Sequence, residues 1–201
     1  MNNQTAGGRA NFDFFKRRPY GVLMAAQMIL PLSIFVVSLF TSFHFVGMGF
    51  VVSMALFLFV SSFVINAIHL FGWNRQSYEV VNGMHLFIPA TFLLFIFSSL
   101  STLAFIFSTL ICLIGFFDSL RYYLLLMLCY FILSALCAAT TYVCGQLTVL
   151  LFRAMPNNQV FGLLTTIIEG DKTTRTDRDP QFTPATTPSG PYSPPAGSNF
   201  I

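Results

Sequence analysis

Charge is what this sequence has least of. Only 8% of the 201 residues are Asp, Glu, Lys or Arg, against about 25% in a soluble domain. By contrast 55% are hydrophobic, and the mean hydropathy is +0.73. That deficit excludes an ordinary water-soluble globule. The four cysteines all lie inside apolar runs and are too few for a disulfide-stapled secreted module. The net charge of +3 comes from scattered residues with no basic face, so no nucleic-acid partner is expected.

What is present is long uncharged stretches. None of the four charged residue types occurs between Arg18 and Arg75, from Val80 to Phe117, or from Tyr122 to Phe152. One span needs about 20 residues. The first stretch divides around Ser42–Gly49, where polar and small residues interrupt the apolar run. Four spans follow, at about 20–41, 50–71, 86–111 and 122–152. Continuous apolar runs exclude a transmembrane barrel, whose strands alternate in polarity. No signal peptide is expected, because the first nineteen residues are polar and the first apolar run is long enough to span. The fold class predicted is all-α: a four-helix transmembrane bundle (20–155) behind a cytosolic N-terminal segment (1–19). A short interfacial helix (156–170) and a disordered C-terminal tail (171–201) are expected to follow.

Basic residues set the expected orientation. With a cytosolic N-terminus, that side holds nine of the ten Lys and Arg and the other side Arg121 alone, a strong positive-inside bias. Both ends are therefore expected to face the cytosol. The Asn3-Gln4-Thr5 sequon would then stay unmodified. The two non-cytosolic loops are small and offer little beyond His44, Asp118 and Arg121. A claudin is disfavoured, since the one tryptophan, Trp73, falls in the cytosolic loop and the first extracellular loop has no cysteine. A tetraspanin is disfavoured because it needs a large Cys-rich second ectodomain.

Polar side chains inside a bilayer are costly and point to function by default. Gln27, Asn66 and Gln146 are each placed roughly 10 Å below the cytosolic surface, where they are expected to form one intramembrane polar layer. The preferred role is structural: amides satisfying one another and fixing helix register at about 0.6–2 kcal/mol per bond. A polar gate is the alternative. His69, within a turn of the interface, is expected to be hydrated. In the fourth span Ser134, Ala138, Thr141 and Gly145 recur every three or four residues as a helix-packing ridge. Gly21 with Ala25, and Gly49 with Ser53, repeat the pattern in the first two spans. Cys129, Cys137 and Cys144 share one helical face, and packing is their expected role.

At the cytosolic ends, Phe12, Phe14 and Phe15 before Lys16-Arg17-Arg18 suggest aromatics at headgroup level beside cations near an anionic leaflet. Val160, Phe161, Leu163, Leu164, Ile167 and Ile168 follow the period of an amphipathic helix lying on the membrane, with docking to a partner helix as the alternative. Beyond Asp171 Thr, Pro, Ser and Gly dominate, a disordered composition. Thr183, Thr187 and Ser193, each followed by proline, fit proline-directed phosphorylation. Two PxxP spacings within 188–194 suit a cytosolic adaptor.

No phosphate-binding loop, metal-ligand motif or nucleophile elbow appears, and candidate acids are confined to the cytosolic segments and Asp118. The chain is expected to be a non-enzyme, with no catalytic, cofactor-binding or metal-binding residues and no cofactor.

Two short stretches carry a family resemblance. Phe12-Asp13-Phe14-Phe15 followed by Arg18-Pro19 resembles the start of the first span in the synaptogyrin and synaptophysin branch of the MARVEL-domain proteins. Cys144-Gly145-Gln146 ahead of Arg153 is similar to the end of the fourth span there. The short, cysteine-free loops are nearer to the MAL-like branch. The resemblance covers about residues 12–155. It implies a role in membrane apposition, vesicle trafficking or junction organisation, at the plasma membrane or a vesicle membrane. Partners expected are membrane lipids, further copies or a larger membrane protein, and an adaptor at the tail. An auxiliary subunit of a channel, transporter or other complex is the alternative function, and a small oligomeric pore the third.

Overall fold

The computed structural model describes residues 12–41, 45–71, 77–81, 84–87, 89–121, 124–155, 160–168 and 171–175. Four α-helices dominate it: α1 (Tyr20–Ser38), α2 (Met48–Leu70), α3 (Ala90–Ser119) and α4 (Leu124–Arg153). All four are long and apolar enough to cross a membrane, and the chain is a multi-pass membrane protein. Among the described residues the short elements are two 3-10 helices, η1 (Phe12–Lys16) and η2 (Val160–Thr165), and two antiparallel strand pairs. Strand β1 (Ser77–Val81) pairs with β2 (Met84–Phe87), and β3 (Thr166–Ile168) with β4 (Thr173–Arg175).

Each helix packs beside its sequence neighbour, and α4 returns to α1, which closes a ring of four. Neighbours run antiparallel. Asn66, late in α2, reaches Met24, early in α1. Gly115, late in α3, lies against the ring of Tyr130, early in α4. The bundle therefore has a proximal end, where η1 and the 160–175 segment lie, and a distal end, where α1 joins α2 and α3 joins α4.

Hydrophobicity does not mark the inner faces, because residues on both sides are apolar. What marks them is a spacing that alternates between three and four, with small polar residues frequent among the large ones. The buried stripe of α3 reads Thr91, Leu94, Ser98, Ser101, Phe105, Ser108, Cys112, Gly115, Ser119. That of α4 reads Tyr130, Leu133, Cys137, Thr140, Cys144, Leu147, Leu151. A mean period of 3.5 keeps one face toward its neighbours along the whole length, as a left-handed bundle requires. Large side chains such as Phe57, Phe63, Phe107, Phe117 and Phe131 point outward. This division suits a bilayer, where close backbone approach rather than escape from water drives helix association. Most small hydroxyls bond back to their own helix: Thr102 donates to the Ser98 carbonyl (2.7 Å), Thr140 to that of Leu136 (2.8 Å) and Thr148 to that of Cys144 (2.9 Å). They enter an apolar interior without needing a partner across the interface.

Three sequence expectations change. The third span begins after Pro89 and continues through Gly115 to Ser119 rather than stopping at 111; Leu86 and Phe87 belong to β2 instead. The 160–168 segment is not a surface α-helix: it is a 3-10 turn and a strand folded onto the bundle, burying Leu163, Ile167 and Ile168. Thr91 donates to the Thr166 carbonyl at 2.6 Å, which ties the segment to α3, while Val160 and Phe161 stay exposed. Likewise Phe14 is buried against Tyr20, Met24 and Ile65 rather than sitting free at headgroup level.

Candidate functional site

The apolar interior falls into two parts. The distal cluster is built on Ile34, Met48, Leu58, Phe105 and Leu133. The proximal cluster is built on Met24, Ile65, Leu94, Leu147 and Leu151, under Phe14 and Ile168. Between them, on the inner stripes of three helices, lie Gln27 of α1, Ser62 of α2 and Ser98 of α3, with Asn66 one turn away from Ser62. All four are nearly inaccessible, at 1%, 2%, 0% and 4% exposure respectively.

The hydrogen bonds join helices. Gln27 Nε2 donates to Ser98 Oγ at 3.1 Å, tying α1 to the diagonally placed α3. Asn66 Nδ2 donates to the Met24 carbonyl at 3.3 Å, tying α2 to α1. The two amides thus use their N–H groups on other partners and not on each other. Gln27 Oε1, Asn66 Oδ1 and Ser62 Oγ have no hydrogen-bond partner. Pro31 lies four residues after Gln27, inside α1. Having no N–H, it cannot bond the Gln27 carbonyl as an ordinary residue would. Three buried polar atoms of the layer are left without a partner, and no Asp, Glu, Lys or Arg occurs in any of the four stripes. The layer is neutral, suited to hydrogen bonding and to fixing register rather than to proton or charge transfer.

Gln27 and Asn66 come together as expected of the layer. Gln146 does not. It faces outward on α4, and Ser62 and Ser98 take the places beside the amides. The spacing of α3's serines was the signal for Ser98, since Ser98, Ser101 and Ser108 fall on one 3.5-residue stripe. For Ser62 the signal was its place one turn before Asn66.

The ridge on α4 is also displaced. Ser134 is buried and Gly145 approaches Thr102, but Ala138 is exposed and Thr141 half-buried. The buried stripe runs one position earlier, through Leu133, Cys137, Thr140 and Cys144. Both lines have the same spacing and both carry small residues, so periodicity alone cannot choose between them. Cys137 and Cys112 of α3 are both buried in the distal cluster, while Cys129 is half-buried. In α2, Gly49 and Ser53 face outward. Gly21 meets η1 rather than a neighbouring long helix.

At the proximal end His69 is buried rather than open at the interface, with the Phe14 ring stacked on it at 5.7 Å. Arg17 and Asp171 form a half-exposed ion pair at 3.7 Å between the two capping segments. Such a pair contributes about 0–1 kcal/mol, so the cap is held mainly by Phe14, Leu163 and Ile168. His44, Trp73, Thr183, Thr187 and Ser193 lie outside the described residues. Comparison with protein-family models, with curated proteins and with solved structures gives no match to this chain.

Proposed function

We propose that this protein is a non-enzymatic membrane organiser of the MARVEL-like kind. It works by lateral association of its helices and by lipid contacts, with both ends and the tail on the cytosolic side. The observation that carries the reading is Gln146. Its side chain is exposed on the outer face of α4 and makes no hydrogen bond within the described chain. An amide left unsatisfied in hydrocarbon costs several kcal/mol (about 2–7). Around it the same face presents Ala135, Ala138, Tyr142 and Val149, all exposed. Small residues there permit a partner helix to come close, and the amide offers both donor and acceptor to it. A second copy satisfies Gln146 with Gln146 across a two-fold axis.

The test compares wild type, Gln146→Leu and Gln27→Leu in lipid nanodiscs or mild detergent, counting copies by native mass spectrometry. Self-association is expected in the wild type and in Gln27→Leu. In Gln146→Leu the association constant should fall about 3- to 30-fold, the equivalent of about 0.6–2 kcal/mol. A monomer in all three samples sinks the reading.

The same exposed face also suits an auxiliary subunit of a larger membrane complex. Recovery of one larger partner at constant ratio, lost in Gln146→Leu, would favour that alternative. A pore through a single bundle is not proposed, because Ile34, Leu58 and Phe105 close the interior on the distal side of the amides. Recruitment of an adaptor by the tail, with phosphorylation at Thr183, Thr187 or Ser193 as its control, belongs to the organiser reading.

A further inference from the structure

The amide layer holds three buried polar atoms, two amide oxygens and a hydroxyl, that no group among the described residues satisfies. Gln27 Oε1, Asn66 Oδ1 and Ser62 Oγ are buried and without a hydrogen-bond partner. Their positions converge. Asn66 is bonded to the carbonyl of Met24, one turn from Gln27 on the same face of α1. Since α1 and α2 run antiparallel, Ser62, one turn from Asn66, comes level with Gln27. Met24 and Gln27 are three residues apart, about 4.5 Å of axial rise, so the two amides lie within about a turn of each other, a separation one bridging molecule can cover with two hydrogen bonds.

We propose that this layer is an internal water-binding site. One water gives its two protons to Gln27 Oε1 and Asn66 Oδ1 and accepts the hydroxyl proton of Ser62, satisfying all three orphan atoms. Three bonds are what a buried water usually makes. The Gln27 carbonyl, deprived of its helical donor by Pro31, offers a further acceptor beside it. The chemistry excludes larger or charged occupants. With at most 4% exposure at these residues, a lipid hydroxyl has no way in. A bare cation would find only the three orphan oxygens and the Gln27 carbonyl, too few to replace its hydration shell. The site is independent of lateral association, because its residues lie on the inner stripes and not on the outer face of α4.

The experiment is solid-state NMR on the full-length, isotope-labelled protein in lipid bilayers, following magnetisation transfer from water to side-chain amides. Ala26-Gln27 and Ile65-Asn66 each occur once as a dipeptide in the chain, so both residues can be assigned without substitutions. Water transfer to the Gln27 and Asn66 side-chain amides is expected at short mixing times. Gln146, at similar depth but outward-facing, should receive none and serves as the internal control. No transfer to Gln27 or Asn66, where surface amides in the same sample give it, overturns the proposal. Saturable shifts of both signals on adding sodium or potassium chloride would overturn it too, by making the occupant a cation.

Discussion

Three glycines separate backbone constraint from mere smallness. A Cβ at Gly21 would run into the carbonyl oxygen of Phe14 and come within 3.3 Å of the Phe15 Cα. Both neighbours are backbone, so η1 has to move away, taking Phe14 off Met24 and off the His69 ring. Gly47 precedes α2 with φ of 112°, a left-handed conformation that costs an L-residue about 1–2 kcal/mol, and Ile111 Cγ2 stands 3.0 Å from its added Cβ. Gly49 has nothing within 4 Å. Inside a helix, alanine is better than glycine there by about 0.5–1 kcal/mol. Thermal unfolding in one detergent should therefore rank Gly49→Ala at or above wild type, with Gly47→Ala and Gly21→Ala below it. Wild-type behaviour of Gly21→Ala would mean η1 is not seated on α1. In the sequence, Gly21 and Gly49 look alike, each a small residue followed four positions later by another. Only the chain entering α1 distinguishes them, and that approach is a tertiary fact.

At the scale of elements, a directed bond from α3 and several apolar contacts help to hold the segment after α4. Thr91, at the start of α3, donates to the Thr166 carbonyl, and Phe161 stacks on Phe92 at 6.3 Å. Thr91→Val keeps the shape and removes the donor. The expected loss is about 1 kcal/mol, which corresponds to about fivefold more frequent opening of the segment. Limited proteolysis within residues 156–175 should accelerate by that factor while α1–α4 stay intact; an unchanged rate would show that this bond does not hold the cap. The helical period in Val160–Ile168 was legible but misleading, because the chain pairs β3 with β4 and buries Leu163, Ile167 and Ile168 without forming an α-helix. The long helices were legible for a different reason. Uncharged runs must cross the bilayer, and only their ends depend on detail. Gly115 reads as a loop residue, yet a Cβ there would lie 3.1 Å from the Tyr130 ring, so the glycine is where α4 packs against a continuing α3. Gln146 was misplaced for the same reason as the α4 ridge. Depth follows from counting residues, whereas the direction a side chain faces depends on which of two adjacent stripes is turned inward.

For the whole molecule, unequal helix lengths set a relation to the bilayer. Helices α3 and α4 have 30 residues each, against 19 in α1, or about 45 Å against 28 Å at 1.5 Å per residue. A hydrocarbon core is about 30 Å thick. Tilt alone would have to approach 50° to bury all of α3 and α4, beyond the range of about 0–40° seen for membrane helices. The pair must therefore project into the headgroup region. Beside the exposed Asp118 and Arg121, its distal tip carries a large apolar surface: Phe117, Leu120, Leu124 and Leu125 are 64%, 56%, 78% and 73% exposed. In a thin bilayer that tip meets water; a thicker one covers it. Mismatch costs fractions of a kcal/mol per Å, so about 10 Å of added thickness amounts to a few kcal/mol. Unfolding measured in nanodiscs of 14-, 18- and 22-carbon phosphatidylcholines should shift to higher temperature as the chains lengthen. Removing the tip with Leu124→Ser and Leu125→Ser should flatten that dependence, since less apolar surface is left to cover. If stability peaks instead at the shortest chains, α1 rather than the α3–α4 pair sets the thickness this bundle requires.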